Sequence, residues 1–231
     1  MPNVSPAGSW TGPNNYEIHR SEIRLRGGAE GGTLTAMKSR LPLFSLALLF
    51  ALVTAQAEPE VPQVLPMSAG AKPSVDGRVA AGEYAAAFTD AKTGIRVSWQ
   101  TDAQNVYVAL ESAMKGWVAM GFGARGMRNA SMVIGSTDKQ GQWVVEEQMG
   151  KALYRHSKVE SPKLVSGVAG HVEGKTVLEF VLPRSLSNGQ TLTAGEPMPF
   201  ILSCHKSKTK LSKHSKATSA LLVLQEKPGS R

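Results

Sequence analysis

Met127 and His214 are the two side chains whose type and setting are typical of metal ligation in this chain. Met127 lies in a glycine-rich loop between two strand-like segments, where a soluble domain usually has a polar turn residue. A thioether in such a loop either fills a packing gap or ligates a soft metal ion or haem iron. His214 precedes the last strand-like segment and offers an imidazole. The question for the fold is whether these two side chains meet.

The segments that must position these side chains have the period-two alternation of β-strands. Residues 95–100 alternate strictly between apolar and polar types, and residues 105–110 repeat the pattern after a hairpin-length connection at 101–104. We expect nine short strands, within residues 95–100, 105–110, 117–122, 131–135, 142–146, 164–172, 176–182, 199–204 and 219–224. With no long helical pattern, this arrangement predicts an all-β fold, an antiparallel β-sandwich.

The sequence also predicts an export signal that does not begin at residue 1. Lys38 and Arg40 form a basic region, residues 41–53 are apolar, and Ala55-Gln56-Ala57 is a small-x-small cleavage site. We therefore interpret residues 37–57 as a signal peptide and residues 1–36 as a mis-called N-terminal extension. The apolar run is shorter than the ~20 residues that span a bilayer. The alternative is an uncleaved anchor, whereas cleavage predicts a periplasmic or extracellular protein without a membrane span.

Composition limits what the exported part can contain. Proline-rich residues 58–72 are expected to be a linker, residues 73–225 one domain, and residues 226–231 a tail. The single cysteine, Cys204, excludes an internal disulfide and a Cys-x-x-Cys-His attachment site, so any haem must be held non-covalently.

Charge is concentrated near the C-terminus of a chain with a formal net charge of +8. Five lysines cluster before the last strand: Lys206, Lys208, Lys210, Lys213 and Lys216. The cluster is either a solvated hairpin or a docking patch for an acidic redox partner. Nucleic acid is not expected as a partner, because no aromatic residue is interleaved with these lysines.

No catalytic constellation is present in the sequence. There is no Gly-x-Ser-x-Gly motif, no phosphate-binding loop and no pair of histidines at helical spacing. Glu146 and Glu147 are adjacent on a predicted strand, so they face opposite sides and cannot act as a carboxylate pair. We therefore expect that the chain is not an enzyme by itself.

Four segments together resemble the DOMON domain, the module named after the N-terminal domain of dopamine β-monooxygenase. They are residues 75–84 (opening Val-Asp-Gly and ending Gly-Glu-Tyr), Ile-Arg-Val-Ser-Trp at 95–99, Asn-Val-Tyr-Val-Ala-Leu at 105–110, and Gly-Trp-Val-Ala-Met-Gly-Phe-Gly at 116–123. The last segment and its methionine loop are the most specific part. The resemblance covers roughly residues 73–225.

This resemblance implies an immunoglobulin-like β-sandwich that binds either b-type haem, as in the cytochrome domain of cellobiose dehydrogenase, or a sugar or another small ligand. In the haem-binding members, the axial ligands are a methionine after the Gly-Trp strand and a histidine before the last strand. Met127 and His214 match these positions here, and Trp117 and Phe122 are expected to wall the pocket. The haem-binding interpretation predicts an electron-transfer domain.

Several alternatives stay open at this point. His205 is the second candidate for the histidine ligand and Met132 for the sulfur ligand, while Arg125 and Arg128 are either solvated or near haem propionates. His156 and His171 do not match the motif, and we expect both at the surface. In the rival interpretation, a carbohydrate-binding module, Trp117 stacks on a sugar and Met127 only packs.

Overall fold

The computed structural model describes residues 60–152 and 155–225, and these residues form two sheets and no helix. Twelve strands follow one another along the chain: β1 (Gln63–Leu65), β2 (Ala86–Thr89), β3 (Arg96–Thr101), β4 (Asn105–Ser112), β5 (Val118–Phe122), β6 (Ser131–Thr137), β7 (Trp143–Ala152), β8 (Arg155–Lys158), β9 (Ser166–Val172), β10 (Lys175–Pro183), β11 (Pro197–Cys204) and β12 (Lys216–Leu224). The all-β prediction is confirmed.

The strands are arranged as a sandwich of a seven-stranded and a five-stranded sheet. The larger sheet has the order β1-β12-β11-β5-β6-β7-β8, and the smaller has the order β2-β3-β4-β10-β9. All pairs are antiparallel except β1 with β12. Each of the nine predicted strands is present, and the expected connection after Thr101 is the turn between β3 and β4. Within the described residues, no helix is long and apolar enough to cross a membrane.

The main core lies between the two sheets and is formed by alternate residues of the strands. On β5, Val118, Met120 and Phe122 face inward, where Phe122 packs edge-on against Phe180 of β10 at 6.4 Å between ring centroids. A second aromatic group joins Phe88, Trp99 and Phe200 across the two sheets. Cys204 is fully buried in this core as a small apolar residue.

Within the predicted linker at residues 58–72, residues 63–65 form an edge strand of the large sheet. Leu65 is fully buried, and the Val64 carbonyl accepts a hydrogen bond from the Trp99 indole at 3.0 Å. Pro62 and Pro66 delimit the strand, which is compatible with an edge position where prolines interrupt few ladder bonds. The predicted extension (1–36), signal peptide (37–57) and tail (226–231) lie outside the described residues.

A buried carboxylate ties the segment before β2 to the outer face of the small sheet. Glu179 of β10 is fully buried; its carboxylate accepts hydrogen bonds from the Tyr84 hydroxyl at 2.9 Å and from the Gly77 amide at 2.7 Å. Burial raises the pKa of Glu179 above its ordinary value of 4.5, although these two hydrogen bonds oppose the shift.

The raised pKa of Glu179 predicts a pH-dependent contribution to stability. The folded protein binds this proton more tightly than the unfolded chain, so the contribution is present below pH 4.5 and is lost as the pH rises through the folded-state pKa. Urea unfolding of wild type and Glu179→Gln at acid and alkaline pH measures it. We expect wild type to lose more stability than the variant with rising pH. Parallel pH curves for the two proteins would contradict this, and Glu196→Gln, at an exposed turn, is the control.

Candidate functional site

An apolar cluster lies on the solvent side of the large sheet, opposite the main core. We call it the outer-face cluster: its buried members are Trp117, Ala119, Ala130, Met132 and Ile134, and the partly buried Ala124, Met127, Ile201 and Leu211 pack against them. Outward faces of sandwich sheets are usually polar, so this cluster requires a cover. Two loops supply that cover: the methionine loop (residues 123–130) and the lysine loop (residues 205–215).

The methionine loop ends in a tight turn that places Met127 over the cluster. The Ala130 amide donates to the Met127 carbonyl at 3.1 Å, and Asn129 has φ of 61°, the left-handed conformation that Asn tolerates at the third position of such turns. The turn rests on Gly150 of β7, because a Cβ there would overlap the Met127 carbonyl. Only glycine permits this approach.

Polar side chains from the loop after β10 hold the methionine loop from another side. The Asn188 amide donates to the Phe122 carbonyl at 3.2 Å and to the Asn129 carbonyl at 3.0 Å, and the Gln190 amide donates to the Gly123 carbonyl at 3.1 Å. The Asn129 amide itself donates to the Gly150 carbonyl at 2.9 Å. Hydrogen bonds from two side-chain amides and from the main chain therefore hold the loop that carries Met127.

The lysine loop covers the other end of the cluster, where Trp117 is only 4% exposed. Its first half is bound to the residues before β5: the Gly116 amide donates to the His205 carbonyl at 3.1 Å, and the Trp117 amide to the Lys208 carbonyl at 3.0 Å. Near the tryptophan, the loop is held by Leu211 packing and by a 3.4 Å hydrogen bond from the Trp117 indole to the Ser212 hydroxyl. The loop is anchored again at its end, where the Ser215 amide donates to the Cys204 carbonyl at 2.9 Å. The five lysines of the predicted patch are all exposed.

The structure unites some of the predicted site residues and separates others. Met127 and Trp117 belong to the same outer-face cluster. Phe122 lies in the main core on the opposite face of β5, so it does not line a pocket with Trp117. The period of two predicts this separation, because 117 and 122 differ by an odd number of residues. Arg125 and Arg128 are exposed beside Met127, and the Arg125 guanidinium pairs with Glu60 at 2.8 Å.

Met127 and His214 belong to loops at opposite ends of the large sheet. The methionine loop begins after Phe122, whereas the lysine loop begins after Cys204, which is paired with Val118. Four residues of β5 separate these two points, a distance of about 14 Å at ~3.4 Å per residue. His214 is exposed. Both loops nevertheless reach the outer-face cluster, one through Met127 and the other through Leu211.

The other predicted histidine, His205, has its ring nitrogen already occupied. Its Nδ1 accepts hydrogen bonds from the Ser207 amide at 3.0 Å and the Lys208 amide at 2.8 Å. The lone pair of Nδ1 is thus used by the main chain, and a neutral ring then carries its proton on Nε2. His205 acts as a turn-stabilising residue here.

His156 was expected at the surface, but it is half-buried and lies near the methionine loop. Its Nδ1 is hydrogen-bonded to the Gln148 side-chain oxygen, and burial lowers the pKa of the ring below 6.5. The Gln148 amide nitrogen donates in turn to the Glu146 carboxylate at 2.9 Å, and Glu146 is paired with Lys158. The sequence signal for this row is the spacing of Glu146 and Gln148, which places both on one face of β7.

We expect Gly150→Ala to displace the methionine loop and destabilise the fold by about 1–3 kcal/mol, because the added methyl overlaps the Met127 carbonyl. Gly170→Ala on β9 is the matched control, since a Cβ there meets nothing within 4 Å. Urea denaturation measures both variants. Equal stabilities would mean that the loop accommodates the methyl without strain.

Several solved structures are similar to this chain. The cytochrome b domain of pyranose dehydrogenase from Coprinopsis cinerea is 15% identical, with 59% of this chain and 86% of that chain covered and a TM-score of 0.41. The cytochrome domain of Myriococcum thermophilum cellobiose dehydrogenase is 14% identical, with coverages of 60% and 88% and a TM-score of 0.41. A family 9 carbohydrate-binding module from Caldicellulosiruptor kristjanssonii, in complex with cellotriose, is 10% identical, with coverages of 73% and 96% and a TM-score of 0.45.

No curated protein matches the chain in sequence. The family model of the DOMON domain matches residues 91–203, from the turn before β3 to the end of β11. This segment includes β5, the methionine loop and three of the four segments that carry the resemblance, among them Gly-Trp-Val-Ala-Met-Gly-Phe-Gly, whereas residues 75–84 lie outside it. The segment that matches the DOMON model thus lies within a β-sandwich that extends beyond both of its ends.

Proposed function

We propose that this protein is an exported one-electron carrier that binds b-type haem non-covalently over the outer-face cluster, with Met127 as its sulfur ligand. The observation that carries the proposal is the placement of Met127: a thioether on a tightly held turn, above an apolar sheet face that points away from the core. An apolar surface suits a porphyrin, and a thioether suits its iron. The donor set and its surroundings therefore fit a haem.

When bound, haem supplies a one-electron redox couple, the potential of which is raised by a thioether ligand relative to stronger donors. The chain's own residues have three tasks. Met127 would donate a sulfur lone pair to the iron, while Ile134 and Met132 would exclude water from one side of the haem. The exposed Arg125 and Arg128 would offer cations to the haem propionates. Arg125 must exchange its ion pair with Glu60 to do so.

The segments that cover the cluster are held by different numbers of hydrogen bonds, and the less firmly held segment is where we expect a planar ligand to enter. The methionine loop is held by Gly150, Asn188 and Gln190, whereas residues 211–214 are attached near the cluster mainly by Leu211 packing and the long Trp117–Ser212 bond. Entry therefore requires residues 211–214, between the attachments at Lys210 and Ser215, to move outward while Met127 keeps its place. The resemblance gives His214, in that moving segment, as the histidine ligand.

Carbohydrate binding, the rival interpretation, requires an aromatic face that is open to a sugar. Trp117 is 4% exposed and its indole nitrogen is bonded to Ser212, so its ring can stack on a sugar only if the lysine loop moves outward, as haem entry also requires. A colourless protein that binds cello-oligosaccharides after production with ample haem would favour that rival.

We expect Met127→Leu to convert the reduced haem spectrum from low-spin toward high-spin and to weaken haem retention. Leucine preserves the volume and apolarity of the position and removes only the sulfur, so packing is a minor variable. Met132→Leu, in the same cluster, is the control and should keep the wild-type spectrum. Absorption spectra of the reduced proteins measure both effects. If Met132→Leu alone changes the spectrum, the sulfur ligand is Met132.

The exposed lysines are proposed to orient an acidic redox partner. Neutralising Lys206, Lys208 and Lys210 together should slow electron transfer with such a partner at low salt and have little effect at high salt. Screening sets this contrast, because the Debye length falls from about 30 Å at 0.01 M to about 3 Å at 1 M. Stopped-flow reduction at both salt concentrations measures it. Equal slowing at both would argue against electrostatic steering.

A further inference from the structure

The small sheet ends at β9, an edge strand that lacks the usual protection against pairing. In the described residues the two sheets have four edge strands: β1, β2, β8 and β9. β1 is three residues long and lies between Pro62 and Pro66. β2 has only four residues, and β8 carries Arg155 and Lys158. Short length, proline and charge keep edge strands from pairing, whereas β9 has seven residues, Ser-Gly-Val-Ala-Gly-His-Val, without proline, carboxylate, lysine or arginine.

The open side of β9 presents main-chain groups that no other strand uses. Val172 and Lys175 flank the two-residue turn to β10 and therefore form a hydrogen-bonded pair, so every second residue back along β9 from Val172 directs its main chain to β10. The residues between them, Gly167, Ala169 and His171, direct their amides and carbonyls to the opposite side. No described residue forms a hydrogen bond with these groups on that side.

These groups are spaced so that a second copy of the same strand can pair with them. In an antiparallel pair centred on Ala169, the two Ala169 residues lie opposite each other, and Gly167 of each copy lies opposite His171 of the other. All three residues then complete their main-chain hydrogen bonds. Val168, which is 37% exposed, lies opposite Gly170, where a Cβ would meet nothing within 4 Å. The valine of one copy thus occupies the open space beside the glycine of the other.

The charges at the two ends of β9 favour the antiparallel direction. Lys163 precedes the strand, Glu173 follows it, and both are exposed. The Lys163 ammonium donates to the Leu186 carbonyl at 3.1 Å and keeps its other N–H donors. Antiparallel pairing brings the acidic end of one copy to the basic end of the other, whereas parallel pairing brings like charges together. Because β9 itself carries no carboxylate, ammonium or guanidinium group, two copies of a chain with a formal net charge of +8 can meet there without repulsion between such groups.

The large sheet leaves room for a further strand beside β9. β8, which extends the large sheet beyond β7, is paired only with Gln148–Ala152. β9 packs over the other half of β7, where Gly167 lies against Val145 and His171 packs edge-on against Trp143. β8 therefore does not extend beneath the open side of β9.

We propose that the protein forms a two-fold dimer in which β9 of one protomer pairs antiparallel with β9 of its partner, centred on Ala169. The two small sheets then become one continuous sheet, and the assembly closes at two copies because both use the same edge. The dimer goes beyond the proposed function and does not depend on haem. It leaves the outer-face cluster of each protomer uncovered, since that cluster lies on the far side of the large sheet.

Sedimentation velocity of the haem-free exported chain, over a range of protein concentrations, tests the dimer. We expect a monomer–dimer equilibrium that Val168→Lys weakens at least about tenfold, because a lysine on an edge strand opposes pairing. Val64→Lys, at an exposed position of the β1 edge, is the matched control and should leave the equilibrium unchanged. A monomer at every concentration would leave the edge to an extended segment of another protein and overturn the proposal. A dimer that survives Val168→Lys, or that both variants weaken equally, would also overturn it.

Disulfide cross-linking tests the register and does not require Val168→Lys to fold. A mixture of Val168→Cys and Gly170→Cys chains should form a disulfide between the two variants, because directly opposed Cβ atoms are about 5 Å apart. Each variant alone should cross-link much less, and the native Cys204 is fully buried and does not compete. Absence of the mixed disulfide, or self-linking of Val168→Cys that equals the mixed reaction, would overturn the proposed pairing.

Discussion

The apolar outward face at the centre of the large sheet is the constraint on which the rest of the site depends. A strand that is buried on both faces leaves no polar side for water, so β5 requires the small sheet on one side and a cover on the other. The small sheet covers the inward face of β5, which carries Val118, Met120 and Phe122. The outward face, with Trp117 and Ala119, is the one that needs the loops as a cover. The two loops exist as close covers because Gly116 and Gly150 let main chain lie directly on the strands.

The most regular parts of this arrangement could be predicted from sequence. Strict alternation in residues 95–100 and 105–110 predicted β3, β4 and the turn between them. Adjacent Glu146 and Glu147 were expected to face opposite sides, and they do: Glu147 is buried and accepts hydrogen bonds from Ser131 and from the main chain at Lys163 and Leu164, whereas Glu146 lies in the outward row with Gln148. These predictions require only that successive side chains of a strand point to opposite faces of the sheet.

Three strands could not be predicted, and each has a physical reason. Residues 63–65 are too few for a period, and prolines flank them. Residues 86–89 are only four, and two of them are alanines, which carry little periodic signal. β8, Arg155–Lys158, is an edge strand of polar residues that owes its structure to pairing with β7. Because β8 was missed, His156 was assigned to the surface, and its approach to Met127 depends on a register that no local pattern encodes.

Because β1 pairs with β12, a strand that is synthesised early finds its partner only when the last strand of the sheet has been made. The first described strand of the sandwich docks beside the last, and the amide after β12, at Gln225, donates to the Leu65 carbonyl at 2.9 Å. No N-terminal portion of the chain can therefore complete the large sheet while the ribosome is still translating it. Closing a sheet between distant ends of the sequence makes folding slow. Completion of the large sheet thus has to wait until β12 has been synthesised.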